Sequence, residues 1–384
     1  MRSLVTKERV LGAAARSGLG PIAEKVMSGA RLTVGEIVNL YNHPDLNAIG
    51  AIANWKREQL HGDRTYFNVN QHINYTNICN KLCRFCAFQR LPGQEGAYVF
   101  SPEEAARKIK ETLSQAVTEV HMVAGIDPKL PYSYYLDLLR AVKAARPEIH
   151  IKAFTMVEIE QIQKVAKKPL EEVFDDLKNA GLGSLPGGGA EIFAERVHKL
   201  IFPLKIGAAR WLEIAKTAHR CGLKTNCTML YGHIETPEEK ADHLNRLRLL
   251  QDETGGFQTF IPLTFHPDNT DLNDIPAPTA IDDLREIAVA RLALDNIPHI
   301  KAYWIQLGLS TAQTALSYGA DDLDGTVKEE RIYHDAGADT PQELGREELV
   351  NLIYSAGRHP VERDTLYQIV REEPLAQAPG VLTN

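Results

Sequence analysis

No apolar run in this chain of 384 residues approaches the roughly 20 residues that a bilayer crossing needs. Its opening, MRSLVTKERVLGAAARSGLG, lacks a secretory core, so the expected compartment is the cytoplasm and no membrane partner is expected. An excess of positive charge is also missing. Forty-three Lys and Arg stand against fifty Asp and Glu, a net charge of −7, which offers nucleic acid no global attraction. Cysteine is scarce and odd in number. Three of the five fall between positions 79 and 86, which excludes a disulfide framework and predicts a metal site in a reducing compartment. Cys221 and Cys227, far along the chain, read as core thiols. Repeats and low-complexity tracts are absent apart from a final Pro- and Ala-bearing tail.

What the chain does have is 44% hydrophobic residues, enough for a large core, arranged after residue 70 as short β-branched or apolar runs alternating with helix-patterned segments. Eight strands are predicted, at 72–78, 119–125, 150–155, 183–185, 225–231, 258–265, 300–307 and near 320–323. Ser101-Pro-Glu-Glu104 and Thr236-Pro-Glu-Glu239 each place a cap residue, a first-turn proline and two acids at a helix start. Eight such βα units predict an α/β fold of (β/α)8 TIM type, with reactive groups on loops after the carboxyl ends of the strands. Residues 1–65 are expected as a helical N-terminal extension, 66–327 as the barrel, and 328–384 as a C-terminal helical extension packed on it.

Cys79-Asn-Lys-Leu-Cys83-Arg-Phe-Cys86 is a C-x3-C-x2-C loop directly after the first predicted strand. Three thiolates on one loop can each ligate one iron of a 4Fe-4S cubane, leaving the fourth iron open to a non-protein ligand. An open iron can chelate the amino and carboxylate groups of S-adenosylmethionine. A cluster used only for electron transfer usually takes four cysteines. The competing assignments are a Cys3His structural zinc site in a binding protein, with His61 or His72 as fourth ligand, and an iron–sulfur electron carrier. Phe85, just before the last cysteine, is either a core aromatic or a residue whose backbone reaches an adenine.

This spacing resembles the radical S-adenosylmethionine superfamily. Within it the chain is similar to the aminodeoxyfutalosine synthases of menaquinone biosynthesis, and more distantly to dehypoxanthine futalosine cyclases and deazaflavin (FO) synthase subunits. The segments carrying the likeness are His72-Ile-Asn-Tyr-Thr-Asn-Ile-Cys79, His150-Ile-Lys-Ala-Phe-Thr155, Leu185-Pro-Gly-Gly-Gly-Ala-Glu-Ile-Phe193, Met229-Leu-Tyr-Gly-His-Ile-Glu-Thr236, Pro262-Leu-Thr-Phe-His-Pro267 and Pro360-Val-Glu-Arg-Asp-Thr-Leu366. The resemblance implies a deoxyadenosyl radical that adds to 3-[(1-carboxyvinyl)oxy]benzoate, with rearrangement and decarboxylation, to give aminodeoxyfutalosine. It also implies an external electron donor such as flavodoxin or ferredoxin.

By the same resemblance, Ala124-Gly125 occupies the place of a glycine pair whose backbone binds the methionine amino group. Ala124 and Asp127 depart from the relatives' pattern, which looks like Val-Gly-Gly-Leu-His-Pro. Glu191, after Gly187, Gly188 and Gly189, would bind the adenosyl ribose; on spacing alone this run is equally a flexible loop or a phosphate cradle. Glu158 and Glu235, after the third and fifth predicted strands, are further candidates for ribose or amino-group contacts, or simply helix-start acids. A substrate with two carboxylates needs cationic or amide donors in a largely dry pocket. His72, Lys152, Arg196, Asn226 and His266 are the candidates by strand-end position, and Asp324 is expected at the pocket floor or in a turn.

Overall fold

Both cap motifs do what their chemistry requires. Ser101 Oγ accepts from Glu104 N while Glu104 accepts from Ser101 N, opening the helix Pro102–Glu111, and Thr236 with Glu239 does the same for Pro237–Thr254. The structure is a computed structural model describing residues 6–111 and 116–374, so the Pro- and Ala-bearing tail lies outside the described residues. Four helices between Lys7 and His61 precede the first strand. Among the described residues no helix is long and apolar enough to cross a membrane.

Eleven strands follow among the described residues: β1 (Arg64–Asn68), β2 (Asn70–Ile73), β3 (Glu119–Met122), β4 (His150–Ala153), β5 (Leu182–Leu185), β6 (Lys224–Tyr231), β7 (Phe257–Thr264), β8 (His299–Ile300), β9 (Asp322–Gly325), β10 (His359–Arg363) and β11 (Ile369–Glu372). β2 to β8 pair in chain order as one parallel seven-stranded sheet, with crossover helices between them, an α/β fold of TIM type. A second sheet has the order β11-β10-β1-β9. Single bridges tie β9 and its continuation to both edges of the first sheet, Lys301 to Asp322 beside β8 and Lys328 to Gln71 on β2.

Three expectations need correction. The eighth strand, predicted near 320–323 as a member of the barrel sheet, is β9 and pairs with β1. The seventh, predicted over 300–307, stops at Ile300, and Trp304–Leu307 is a helical turn. There the fully buried Trp304 donates its indole N–H to the Gly325 carbonyl, and Gly308 at φ 73° ends the turn. The C-terminal segment is not helical alone, because β10 runs beside β1 and β11 returns antiparallel to it.

Strand parity sets what faces the barrel axis. Register places His72 opposite His121 and His121 opposite Lys152, whereas Gln71, of the other parity, donates to the Lys108 carbonyl in a flanking helix. The helix-facing side is apolar, with Val120, Ile151, Met122 and Ala153 all fully buried. The axis-facing side is ionic. Buried pairs there join Glu119 to Lys152 at 2.8 Å, Lys301 to Asp324 at 3.0 Å and Arg363 to Asp322 at 2.6 Å, while on the helix side Arg291 of the helix Ala280–Ala293 pairs with Asp321.

Candidate active site

The first predicted strand ends early, at Ile73, and the following residues leave the sheet to build a loop. Asn74 donates to the Val123 carbonyl and Asn77 brackets Gly96 and Tyr98, so polar side chains replace ladder bonds. The cysteine loop is pinned along its length: Cys79 N donates to Arg90 O, Asn80 N to Ile126 O, Arg84 N to Ile201 O and Cys86 N to Cys83 O. All three cysteines line one cavity at the carboxyl ends of β2 to β9. Burial pushes the Cys83 thiol up to about 12 and raises Cys86 as well, with Lys205 opposing the shift at both.

Their spacing tests what they can hold. One tetrahedral zinc, with Zn–S near 2.3 Å, brings its sulfurs to within about 3.8 Å of one another. Among the described residues the only three His, Cys, Asp or Glu ligand atoms lying within 4.8 Å of one another are those of His61, His299 and Asp321. At least one pair of the three cysteine sulfurs is therefore more than 4.8 Å apart, wider than a single tetrahedral ion holds. His61 cannot complete a zinc site with them, since its Nε2 donates to Pro298 O beside Asp321.

The glycine loop after β5 forms the adjoining wall. Gly187 has φ 73°, and a Cβ there would enter the Asn226 carbonyl, so only glycine fits. Trp211 donates to Gly188 O, and Thr228 to Gly187 O. Glu191, itself at φ 46°, is ion-paired with Lys205, whose ammonium lies 5.3 Å from the Phe85 ring centroid. Opposite, Ala124 and Gly125 line the cavity; a Cβ on Gly125 would enter the Ile78 carbonyl, so that glycine is also what lets the cysteine loop pack. Asp127 is buried and accepts from Lys129 N, closing the turn beyond.

Glu158 sits behind this wall. It accepts from Thr155 N at 2.7 Å and from Tyr75 OH at 2.6 Å, with the Ala124 backbone also bonded to it, and burial raises it to about 7. It does not line the cavity, and it orders the Ala124 and Thr155 loops from outside. Glu235 is likewise absent from the lining. It accepts from Gly232 N and His233 N in its own turn, which with the His233 ring holds it down at about 2 against the opposing effect of burial.

The cavity floor and far wall come from His72, His121, Ile261, Leu263, His266, Tyr303, Asp324, Glu330 and Tyr333. Of the five candidates for substrate contact, the structure brings His72 and His266 there. Lys152 is turned down onto Glu119, Arg196 is exposed and paired with Glu239 at 2.7 Å, and Asn226 is buried beside Gly187 without lining the cavity. His121, Lys205, Tyr303, Glu330 and Tyr333 were not anticipated. For His121 the signal was available in strand parity, since it shares an orientation with His72; for Lys205, in a loop after the helix Glu195–Ile201, there was none.

Residues 73–247 match the radical SAM superfamily and residues 254–376 the CofH/MqnC C-terminal region. The chain is 52% identical to the aminodeoxyfutalosine synthase of Thermus thermophilus over 91% of this chain and 95% of that one. It is 46% identical to the aminodeoxyfutalosine synthase of Streptomyces coelicolor over 91% and 94%. The fold is shared with methylornithine synthase, at a TM-score of 0.70 and 17% identity over 88% of this chain and 97% of that one. Together with the three cysteines lining one cavity at the mouth of a parallel α/β sheet, these likenesses place the chain in the radical S-adenosylmethionine superfamily and, within it, in the family of the adenosyl-transferring aminodeoxyfutalosine synthases.

Proposed function

We propose that the chain joins the deoxyadenosyl group of S-adenosylmethionine to 3-[(1-carboxyvinyl)oxy]benzoate, with loss of one carboxylate, to give aminodeoxyfutalosine, a menaquinone precursor. Cys79, Cys83 and Cys86 would hold three irons of a 4Fe-4S cluster. When bound, that cluster and S-adenosylmethionine supply a carbon-centred deoxyadenosyl radical, given one electron from an external donor of the flavodoxin or ferredoxin class.

The observation that carries this reading is that one cavity is continuous from the three thiols, past the glycine loop, to an apolar and imidazole-bearing floor. The chain's own work is positional. Ala124 and Gly125 expose backbone, Glu191 presents a carboxylate that can exchange Lys205 for ribose hydroxyls, and Phe85 lies within reach of an adenine. Ile261, Leu263 and Tyr333 make the far wall apolar and exclude water from a reaction that competing hydrogen donors would quench. Anaerobic incubation with S-adenosylmethionine, a reductant and the enol ether, followed by mass spectrometry, is expected to show an adenosylated, decarboxylated product. Free deoxyadenosine in stoichiometric yield would overturn the reading.

A further inference from the structure

We propose that His72 and His121 form a one-proton clamp for the ring carboxylate of the substrate, an inference that rests on the aryl enol-ether reading above. β2 and β3 place the two residues in register, their rings are parallel within 8° with centroids 4.6 Å apart, and both line the cavity. Nε2 of His72 is buried and has no hydrogen-bond partner. A desolvated ring nitrogen left unmatched is costly unless a ligand meets it.

Two imidazoles in face-to-face contact do not each carry a proton, because like charges repel strongly where water is excluded. The stack therefore holds one proton at most. Burial lowers both rings from the usual histidine range, but Glu330 and Asp324 oppose that shift at His72 whereas Lys152 adds to it at His121, and His72 is the ring with the unmatched Nε2, so the proton belongs on His72. An arriving carboxylate at Nε2 offsets the burial and takes up one proton from solvent, leaving an imidazolium–carboxylate pair with no bond broken.

The charges around the stack are already matched. Glu119, whose Oε1 lies 3.9 Å from His121 Nδ1, is paired with Lys152; Asp324 is paired with Lys301. Glu330 accepts from Ile332 N and Tyr333 N and faces His334, which that contact raises to about 9. Behind His72, Lys108 is paired with Glu329 at 3.0 Å, and the Arg331 guanidinium covers the Tyr98 ring. Lys205 belongs to the thiol wall, and His266 Nε2 donates to Gln306 O. The imidazole stack is thus the part of the floor free to become cationic. The ring carboxylate is assigned to it because the reacting vinyl group must face the cysteine loop, and a rigid ring carries its acid to the opposite end.

The test is anaerobic steady-state kinetics with 3-[(1-carboxyvinyl)oxy]benzoate, S-adenosylmethionine and a chemical reductant from pH 6 to 9, repeated with the methyl ester of the ring carboxylate. Wild-type KM should rise by up to about tenfold per pH unit once the clamp loses its proton, while kcat changes less. H72N should raise KM about 10- to 100-fold and flatten that dependence. H121N should keep the pH dependence with its midpoint little moved, since His121 carries no proton when His72 does; a flattened profile would show that the proton sits on His121. The ester should bind weakly at every pH. A pH-independent wild-type KM, a wild-type KM in H72N, or a pH dependence that persists with the ester would each overturn the clamp. Absence of any adenosylated product from the unmodified ether would instead defeat the enol-ether reading, and the clamp with it. The ester and the pH profile need no variant, so misfolding of H72N does not shelter the proposal.

Discussion

The wall that carries Cys79, Cys83 and Cys86 is made largely of backbone, glycine and thiols, whereas the floor opposite sets imidazoles and carboxylates among apolar side chains, all projected from strands far apart in the chain. On the wall, shape is set by close backbone contacts, as where Gly125 meets Ile78 and Gly187 meets Asn226. On the floor, shape is set by charge: Lys301 with Asp324, Lys152 with Glu119, and beneath them Arg363 with Asp322. The difference separates two kinds of failure. Damage to the wall should cost chemistry and spare the fold; damage to the ionic layers should cost the fold first.

The sharpest break in that comparison is Cys83→Ala. It should abolish cleavage of S-adenosylmethionine while the protein stays soluble with an unchanged circular dichroism spectrum; cleavage retained with a full cluster would overturn the ligand assignment. Arg363→Met should act the other way. It strands Asp322, fully buried, and is expected to destabilise the protein by about 3–5 kcal/mol, measured by denaturant unfolding of the variant against wild type. A near-wild-type midpoint would show that the ionic layer does not hold the fold.

Glu158 lies between the two regimes, and its prediction is the smallest. Its carboxyl is raised from 4.5 to about 7 in the folded protein, so the native state binds the proton more tightly. Below about pH 4.5 both states are protonated and nothing is lost; stability then falls as pH rises toward about 7, and stays lower above it. Glu158→Gln should remove that loss. The stability difference should move in the variant's favour across this window by up to ~3 kcal/mol, and a difference constant with pH would remove Glu158 as its source.

The same contrast explains what could be read from the sequence. The wall was legible because its chemistry is local: three cysteines in eight positions and three consecutive glycines need no knowledge of the rest of the chain. The parallel order of β2 to β8 was legible from alternation. The floor was not, because His72, His121, Tyr303, Asp324 and Glu330 meet only through register and through a second sheet, of which β10 and β11 sit in a segment that pattern alone marked as helical and β1 straddles the expected boundary at residue 65. Lys152, Arg196 and Asn226 were plausible by position along a strand, but each is taken by a nearer partner or turned from the cavity. Glu158 and Glu235 satisfy their own helix start and turn, which is what such acids usually do.

The seam at β9 carries one further consequence. Asp322 to Gly325 pair with β1, more than 250 residues earlier, and their continuation reaches β2. Contacts so distant along the chain form late, because loop closure must precede any reward. During synthesis the three cysteines therefore emerge long before the residues that close the chamber beneath them. A ribosome-bound chain ending before residue 320 would present its thiols on an unsealed barrel, so the cysteine loop is made and exposed before the substrate chamber beneath it can be completed.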